Sequence, residues 1–210
     1  TNTDWFVVGL ASFRHRGWTD RINEVKKDHP DWDERYIVYT HDLTAPLSPI
    51  LKEKIGHIDY IINLASLSDV EEGIKNPVPF VENNISLMLN LLEYAREVKP
   101  EVFIHFSTDE VYGPSEKGER FTEWSPIVPS NPYAASKACQ EAIAIAYWRT
   151  YGVPLIITNA VNNFGEMQSP KKFPVIVQKK VAKGEKVTIH GNEDDSGTRY
   201  YIHSRNVADA

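Results

Sequence analysis

The chain has 210 residues, 41% of them hydrophobic and 25% charged, and 23 Lys plus Arg against 29 Asp plus Glu give a net charge of -6. This length suits one α/β domain, and no Lys/Arg block is present to track a phosphate backbone, so nucleic acid is not expected as a partner. The longest apolar runs are too short to cross a bilayer, the start TNTDWFVVGL lacks the pattern of a signal peptide and the lone Cys139 excludes an internal disulfide, so no membrane association and a cytoplasmic location are expected.

In chain order, runs rich in Val, Ile, Tyr and Phe predict buried strands at FVVGL (6–10), YIVYT (36–40), YIINLA (60–65), VFIHFS (102–107), PLIITNA (154–160) and KVTIHG (186–191). Apolar residues at helical spacing predict helices between them, notably NNISLMLNLLEYAREV (83–98) and NPYAASKACQEAIAIAYWRTY (131–151). This alternation implies an α/β fold, a parallel sheet with helices on both faces. Ligands of such sheets bind beyond the carboxyl ends of the strands. Those ends carry Ala11-Ser12-Phe13, His41-Asp42-Leu43, Ala65-Ser66, Thr108-Asp109-Glu110 and Asn159-Ala160.

Chemistry concentrates in two places. The stretch STDEVYG (107–113) puts two hydroxyls and two acids at a strand end, where a solvated turn or a capping pair is the structural alternative. On the helix near Asn131, Tyr133 and Lys137 stand four residues apart, hence on one face and one turn apart. An ammonium next to a phenol favours the phenolate, which makes the tyrosine a base for an alcohol proton. The spacing also arises by chance on many helices, and the conjunction with STDEVYG is what points to a site. Cys139, on the same helix, reads as a small packed residue.

STDEVYG, YAASK and TNAVNNFG followed by SPKKFP resemble the extended short-chain dehydrogenase/reductases that act on nucleotide sugars, the NAD-dependent epimerase/dehydratase family, and within it the 4,6-dehydratases. The resemblance implies a Rossmann-type doubly wound sheet that lacks its first strand and part of its C-terminal substrate lobe. Residues 1–165 would form the cofactor-binding domain and 166–210 the start of the substrate-binding portion. It implies that Tyr133 removes the sugar 4-hydroxyl proton while hydride leaves C4 for the nicotinamide. Lys137 would lower the phenol's pKa and hold the nicotinamide ribose, and Thr108 would hydrogen-bond the same sugar oxygen. Glu110 would then take the C5 proton and Asp109 would protonate the departing 6-hydroxyl, after which hydride returns to C6. Adjacent carboxyls can divide such roles because ionising one raises the pKa of its neighbour.

The same resemblance assigns cofactor contacts to Asp42, Leu43, Asn63, Ala65 and Ser66, a bracing role to Asn84, and substrate contacts to Ser68, Asn162, Lys172 and Arg199. For Asp42 a helix N-cap ahead of LTAPLSPILKEKI is the alternative. The expected cofactor is NAD. However, Ala11 stands where NAD-using members carry an acid, and Arg14, His15 and Arg16 follow it, which raises NADP as an alternative. The glycine-rich turn of the family is not found in the chain, Asp69 stands where a histidine is common, and Glu166 and Lys171 break the usual substrate-loop pattern. No metal is expected. The partners implied are a nucleotide sugar and a second copy of the chain, joined through the helices at 83–98 and 131–151. An epimerase or decarboxylase on the same scaffold is the alternative function, and a non-catalytic binding or assembly module the second.

Overall fold

A computed structural model describes residues 3–14, 19–29, 31–116, 118–189, 191–192, 195–196 and 198–210. His15 and Arg16 lie outside the described residues. The chain divides into two compact units, Thr1–Asn159 and Ala160–Ala210. The first contains β1 (Val7–Ala11), α1 (Thr19–Asp28), α2 (Trp32–Arg35), β2 (Tyr36–Thr40), α3 (Pro49–Ile55), β3 (Tyr60–Asn63), α4 (Val70–Lys75), α5 (Pro77–Val98), β4 (Val102–Phe106), a 3-10 turn (Asp109–Tyr112), α6 (Pro132–Tyr151) and β5 (Leu155–Thr158). The second contains β6 (Asn162–Phe164), α7 (Phe173–Ala182), β7 (Gly191–Asn192), β8 (Asp195–Ser196), β9 (Tyr201–His203) and α8 (Ser204–Asp209).

The apolar runs at 6–10, 36–40, 60–65, 102–107 and 154–160 all become strands, within two residues at either end. The run at 186–191 does not. Residues 186–189 are irregular, and a two-residue strand begins at Gly191. Ile189 is 63% exposed, so this side chain lacks the half-buried surface on which strand-forming side chains pack.

All ladders of the first unit are parallel. β1 pairs with β2, from Val7↔Tyr36 to Ala11↔Thr40, and β4 lies between β3 and β5 with Ile61↔Phe103 and Phe103↔Leu155 in register. In the doubly wound order 3-2-1-4-5-6 one strand separates the second from the fourth. Here β1 and β3 hold those two places, and no ladder joins them among the described residues. At the amino ends Trp5 stacks on Tyr60, with ring centroids 5.0 Å apart.

Registered partners in parallel strands face the same side. The Ile61–Phe103–Leu155 side packs under α5 and α6, where Leu87, Met88, Leu91, Leu92, Phe103, Ala144 and Val153 form the buried core. Burying each of the larger side chains contributes about 1.5–3 kcal/mol. On the opposite side Ile62 and Ile156 remain 45% and 49% exposed. α5 starts at Pro77, six residues before the predicted boundary, because proline is tolerated in a first turn whose N–H groups have no partner inside the helix. α6 starts where expected. Asn131 caps it by accepting from the Ala134 N–H (2.9 Å), Pro132 follows, and Gly152 at φ 72° ends it. Since the strands run parallel within each ladder, their carboxyl ends lie on one edge, and α6 starts from the loop that leaves the end of β4.

Candidate active site

At the end of β4 the backbone of Thr108 stays extended (φ -150°), and its hydroxyl accepts from the Glu110 N–H (3.3 Å) to start the 3-10 turn. The same Oγ1 is 3.2 Å from Asp109 Oδ1, to which the hydroxyl can donate. Gly113 closes the turn at φ 82°, and a Cβ there would run into the Val128 carbonyl, so the last letter of STDEVYG answers to both backbone angle and space. Asn131 does two things at once. While its Oδ1 caps α6, its Nδ2 donates to Glu110 Oε2 (3.2 Å), so helix start and carboxylate are held by one side chain.

Tyr133, in the first turn of α6, meets this cluster. Its ring lies edge-on to Phe80, with centroids 6.4 Å apart. Burial raises its pKa to about 12, the charge of Glu110 adds to the rise, and a hydrogen bond with Thr108 offsets part of it. Thr108, Asp109, Glu110 and Tyr133 therefore converge as expected.

Lys137, expected to lower the phenol's pKa, lies one turn further along α6. Only 3% exposed, it donates to the Phe106 carbonyl (2.7 Å) and places Nζ 3.5 Å from His105 Nε2. Burial lowers its own pKa to about 8, with Glu141 opposing the fall. Around the phenol itself, burial and carboxylate charge raise the pKa.

Beneath these groups lies a polar layer that the sequence reading missed. Glu141 Oε1 accepts from Ser107 Oγ and from Asn159 Nδ2 (2.7 Å), and Asn159 Nδ2 also reaches the Thr108 carbonyl (3.4 Å). Burial raises the Glu141 carboxyl's pKa. The signal was present in the sequence, since Glu141 is four residues beyond Lys137 and thus on its face of the helix. Cys139, expected to be packed, is exposed.

On the cofactor side, Asp42 closes a turn at the end of β2 by accepting from the Thr44 N–H (3.1 Å), and its other oxygen pairs with Arg14 (2.5 Å). These contacts lower its pKa, the Thr44 hydrogen bond most. The N-cap alternative fails, because α3 starts seven residues later and is capped by Ser48, which accepts from the Leu51 N–H (3.2 Å). Arg14, one of the basic residues that suggested a 2′-phosphate, is engaged by Asp42. Leu43 packs against the core, and its carbonyl accepts from Asn90 (2.9 Å).

Asn63 is buried. It accepts from the Ala65 N–H (3.1 Å) and donates to His105 Nδ1 (3.2 Å), so it shapes the turn from behind. Asn84, expected to brace the sheet, accepts from the Leu67 N–H (2.8 Å) and donates to the Leu67 carbonyl (3.0 Å), which holds the loop after β3. Ser66 Oγ donates to the Leu67 carbonyl (2.9 Å), and Ser68 is exposed. Asp69 caps α4 by accepting from the Glu72 N–H (3.2 Å), a local structural use for the residue that departs from the family pattern.

Asn162, Lys172 and Arg199 all belong to the second unit. Asn162 opens β6 and donates to the Tyr200 carbonyl (3.5 Å), Lys172 immediately precedes α7, and Arg199 is exposed just before β9. Glu166 pairs with Arg205 (2.7 Å) and His203 (3.5 Å). Among the described residues no helix is long and apolar enough to cross a membrane.

The model of the NAD dependent epimerase/dehydratase family matches residues 4–210. The low-salt glycan biosynthesis protein Agl12 of Haloferax volcanii is 34% identical over 203 residues, covering 96% of this chain and 62% of that protein. A dTDP-glucose 4,6-dehydratase of Haemophilus influenzae is 40% identical, covering 91% of this chain and 58% of that protein. Among solved structures, a double mutant of DesIV, a dTDP-glucose 4,6-dehydratase of Streptomyces venezuelae with NAD and DAU bound, superposes with a TM-score of 0.83 at 30% identity, covering 97% of this chain and 60% of that one. The chain thus spans about three fifths of the length of these relatives.

Proposed function

Because the chain belongs to the NAD dependent epimerase/dehydratase family, we propose that it carries the reaction centre of a nucleotide-sugar 4,6-dehydratase, which converts an NDP-hexose of the dTDP- or UDP-glucose type to the 4-keto-6-deoxy sugar. The observation that carries this reading is the meeting of Tyr133 with Thr108, Asp109 and Glu110 at the end of β4. A hydroxyl and a phenol suffice for alcohol oxidation, whereas the two carboxyls answer to a second pair of proton transfers. Epimerisation at C4 leaves the C5 proton in place, and thus has no use for Glu110 in that role.

In this reading Tyr133 takes the proton of the sugar 4-hydroxyl, with Thr108 hydrogen-bonded to the same oxygen. Glu110, steadied by Asn131, removes the C5 proton, which the new C4 ketone has made acidic. Asp109 delivers a proton to the departing 6-hydroxyl, and water leaves. A nicotinamide dinucleotide, when bound, would supply the acceptor for the C4 hydride and its donor to C6, and Glu110 then gives its proton back to C5.

The strand-end groups fit such a cofactor: Asp42 offers a carboxylate for the adenine amine, Leu43 an apolar neighbour after the same strand, Asn63, Ala65 and Ser66 a braced backbone turn, and Lys137 an ammonium for the nicotinamide ribose. NAD is favoured over NADP, since the charge of Arg14 is already met by Asp42. Ser68 is proposed near the sugar. Asn162, Lys172 and Arg199 are proposed as diphosphate contacts on the chemistry of amide, ammonium and guanidinium. A cytoplasmic location belongs to the same proposal, as does a homodimer through α5 and α6. On these helices Leu89 and Ile145 are exposed apolar residues beside the small, exposed Ala142 and Ala146.

The full-length protein, given NAD and dTDP-glucose or UDP-glucose, is expected to release a 4-keto-6-deoxy sugar nucleotide one water lighter, seen by mass and NMR. Unaltered sugar with every nucleotide tested would overturn the reading, and an epimer of unchanged mass would assign an epimerase instead.

A further inference from the structure

Two ionisable groups flank Lys137 and serve no step of the proposed reaction: His105, which is 0% exposed, and Glu141, at 5%. Glu141 Oε1 is the acceptor for Ser107 Oγ, just past β4, and for Asn159 Nδ2, just past β5, and Asn159 also reaches the Thr108 carbonyl. One carboxylate on α6 therefore ties two adjacent strand ends to the helix that bears Tyr133 and Lys137.

The tautomer of His105 follows from its neighbours. Asn63 Oδ1 is occupied by the Ala65 N–H, so the atom facing His105 Nδ1 is the donating Nδ2. Nδ1 is then an acceptor, and the neutral ring carries its proton on Nε2, which faces Lys137 Nζ at 3.5 Å. A donor aimed at an ammonium repels it, whereas the same donor aimed at an uncharged amine is accepted. The Phe106 carbonyl satisfies Nζ in either state. Among the described residues, titratable groups stand near Lys137 on β4 (His105) and on α6 (Glu141 one turn after it and Tyr133 one turn before it), while Asn63 of β3 and Asn84 of α5, both uncharged, bond to His105 and Ser136. His105 thus favours the neutral amine and Glu141 favours the cation.

We propose that Glu141 is a positioning residue that keeps Lys137 an ammonium and fixes Thr108 through Asn159. This rests on the dehydratase reading for the purpose served, but not for the coupling itself. The lowered pKa of Lys137, with Glu141 opposing the fall, agrees with the geometry.

The test is the titration of Lys137 in the full chain carrying 13C-labelled lysine, its Cε signal assigned by its loss in K137M. Glu141→Gln preserves shape and an acceptor for Ser107 and Asn159 but removes the charge. It is expected to lower the Lys137 midpoint by roughly one pH unit, a tenfold change, and to move the alkaline limit of kcat down by the same amount. An unchanged midpoint overturns the proposal. If E141Q does not fold, K137M with 13C-labelled glutamate reads the coupling from the other side, where the Glu141 carboxyl is expected to titrate at higher pH than with Lys137 present and an unchanged value is the refuting result. Should no dehydratase activity exist, the NMR titration still decides the coupling, so failure of the functional reading and failure of this proposal are told apart.

Discussion

A phenol buried next to carboxylates gives up its proton less readily than one in water, and Tyr133, raised to about 12, is such a group. Glu110 is the largest named charge acting on it, so Glu110→Gln is expected to bring the onset of phenolate formation to lower pH. NMR of 13Cζ-labelled tyrosine, referenced to Tyr133→Phe, measures this. The same variant removes the proposed C5 base and should lower kcat by about 10²–10⁴-fold. A Tyr133 titration that does not move would mean the two groups are further apart in solution than in this structure.

His105 gives a stability prediction. Burial, with the charge of Lys137, lowers its pKa from 6.5 to about 3. Between those values the unfolded chain binds the proton and the folded chain does not, so stability falls as pH drops from 6.5 towards 3. His105→Gln should flatten that part of the profile, narrowing the gap in Tm between about pH 7 and about pH 4.5. An unaltered gap would assign the acid sensitivity to other groups.

At the level of elements, the join between the 3-10 turn and α6 carries most of the consequence. Asn131 supplies a cap and holds a carboxylate, so Asn131→Ala is expected to cost about 1 kcal/mol of stability from the cap alone, measurable by urea denaturation. It should also reduce turnover beyond what that loss explains, because Glu110 is no longer steadied. Asn131→Asp separates the two effects. It retains a capping oxygen but repels Glu110, and stability near wild type with lowered kcat is the expected result.

Elements were legible where a local rule decides them. β2 has the bounds of the YIVYT run, and the helix expected over 131–151 starts at Pro132, because a cap and a proline at N1 act within one turn of chain. The run at 186–191 shows the limit of such rules. Its composition is that of a strand, but a strand also needs a surface to pack against, and Ile189 has none.

Across the whole molecule, the exposed faces of α5 and α6 are the surface proposed to join two copies. Leu89→Arg together with Ala142→Arg would place cations on both helices there, and the protein should change from dimer to monomer by sedimentation. A monomeric wild type, or a dimer unaffected by the pair, would remove this part of the proposal.

The residue types at the strand ends, the four-residue step from Tyr133 to Lys137 and the order of strands and helices were all determined by sequence, because each depends on neighbours within a few positions. What only the tertiary structure decided is where the charges point. Lys137 turns to the Phe106 carbonyl and His105, Asp42 finds Arg14, and Glu141 collects Ser107 and Asn159 from two strands. Those partners lie between 18 and 34 positions apart along the chain, and what joins them is a parallel sheet that brings distant strand ends to one edge and leaves buried polar groups no water with which to hydrogen-bond.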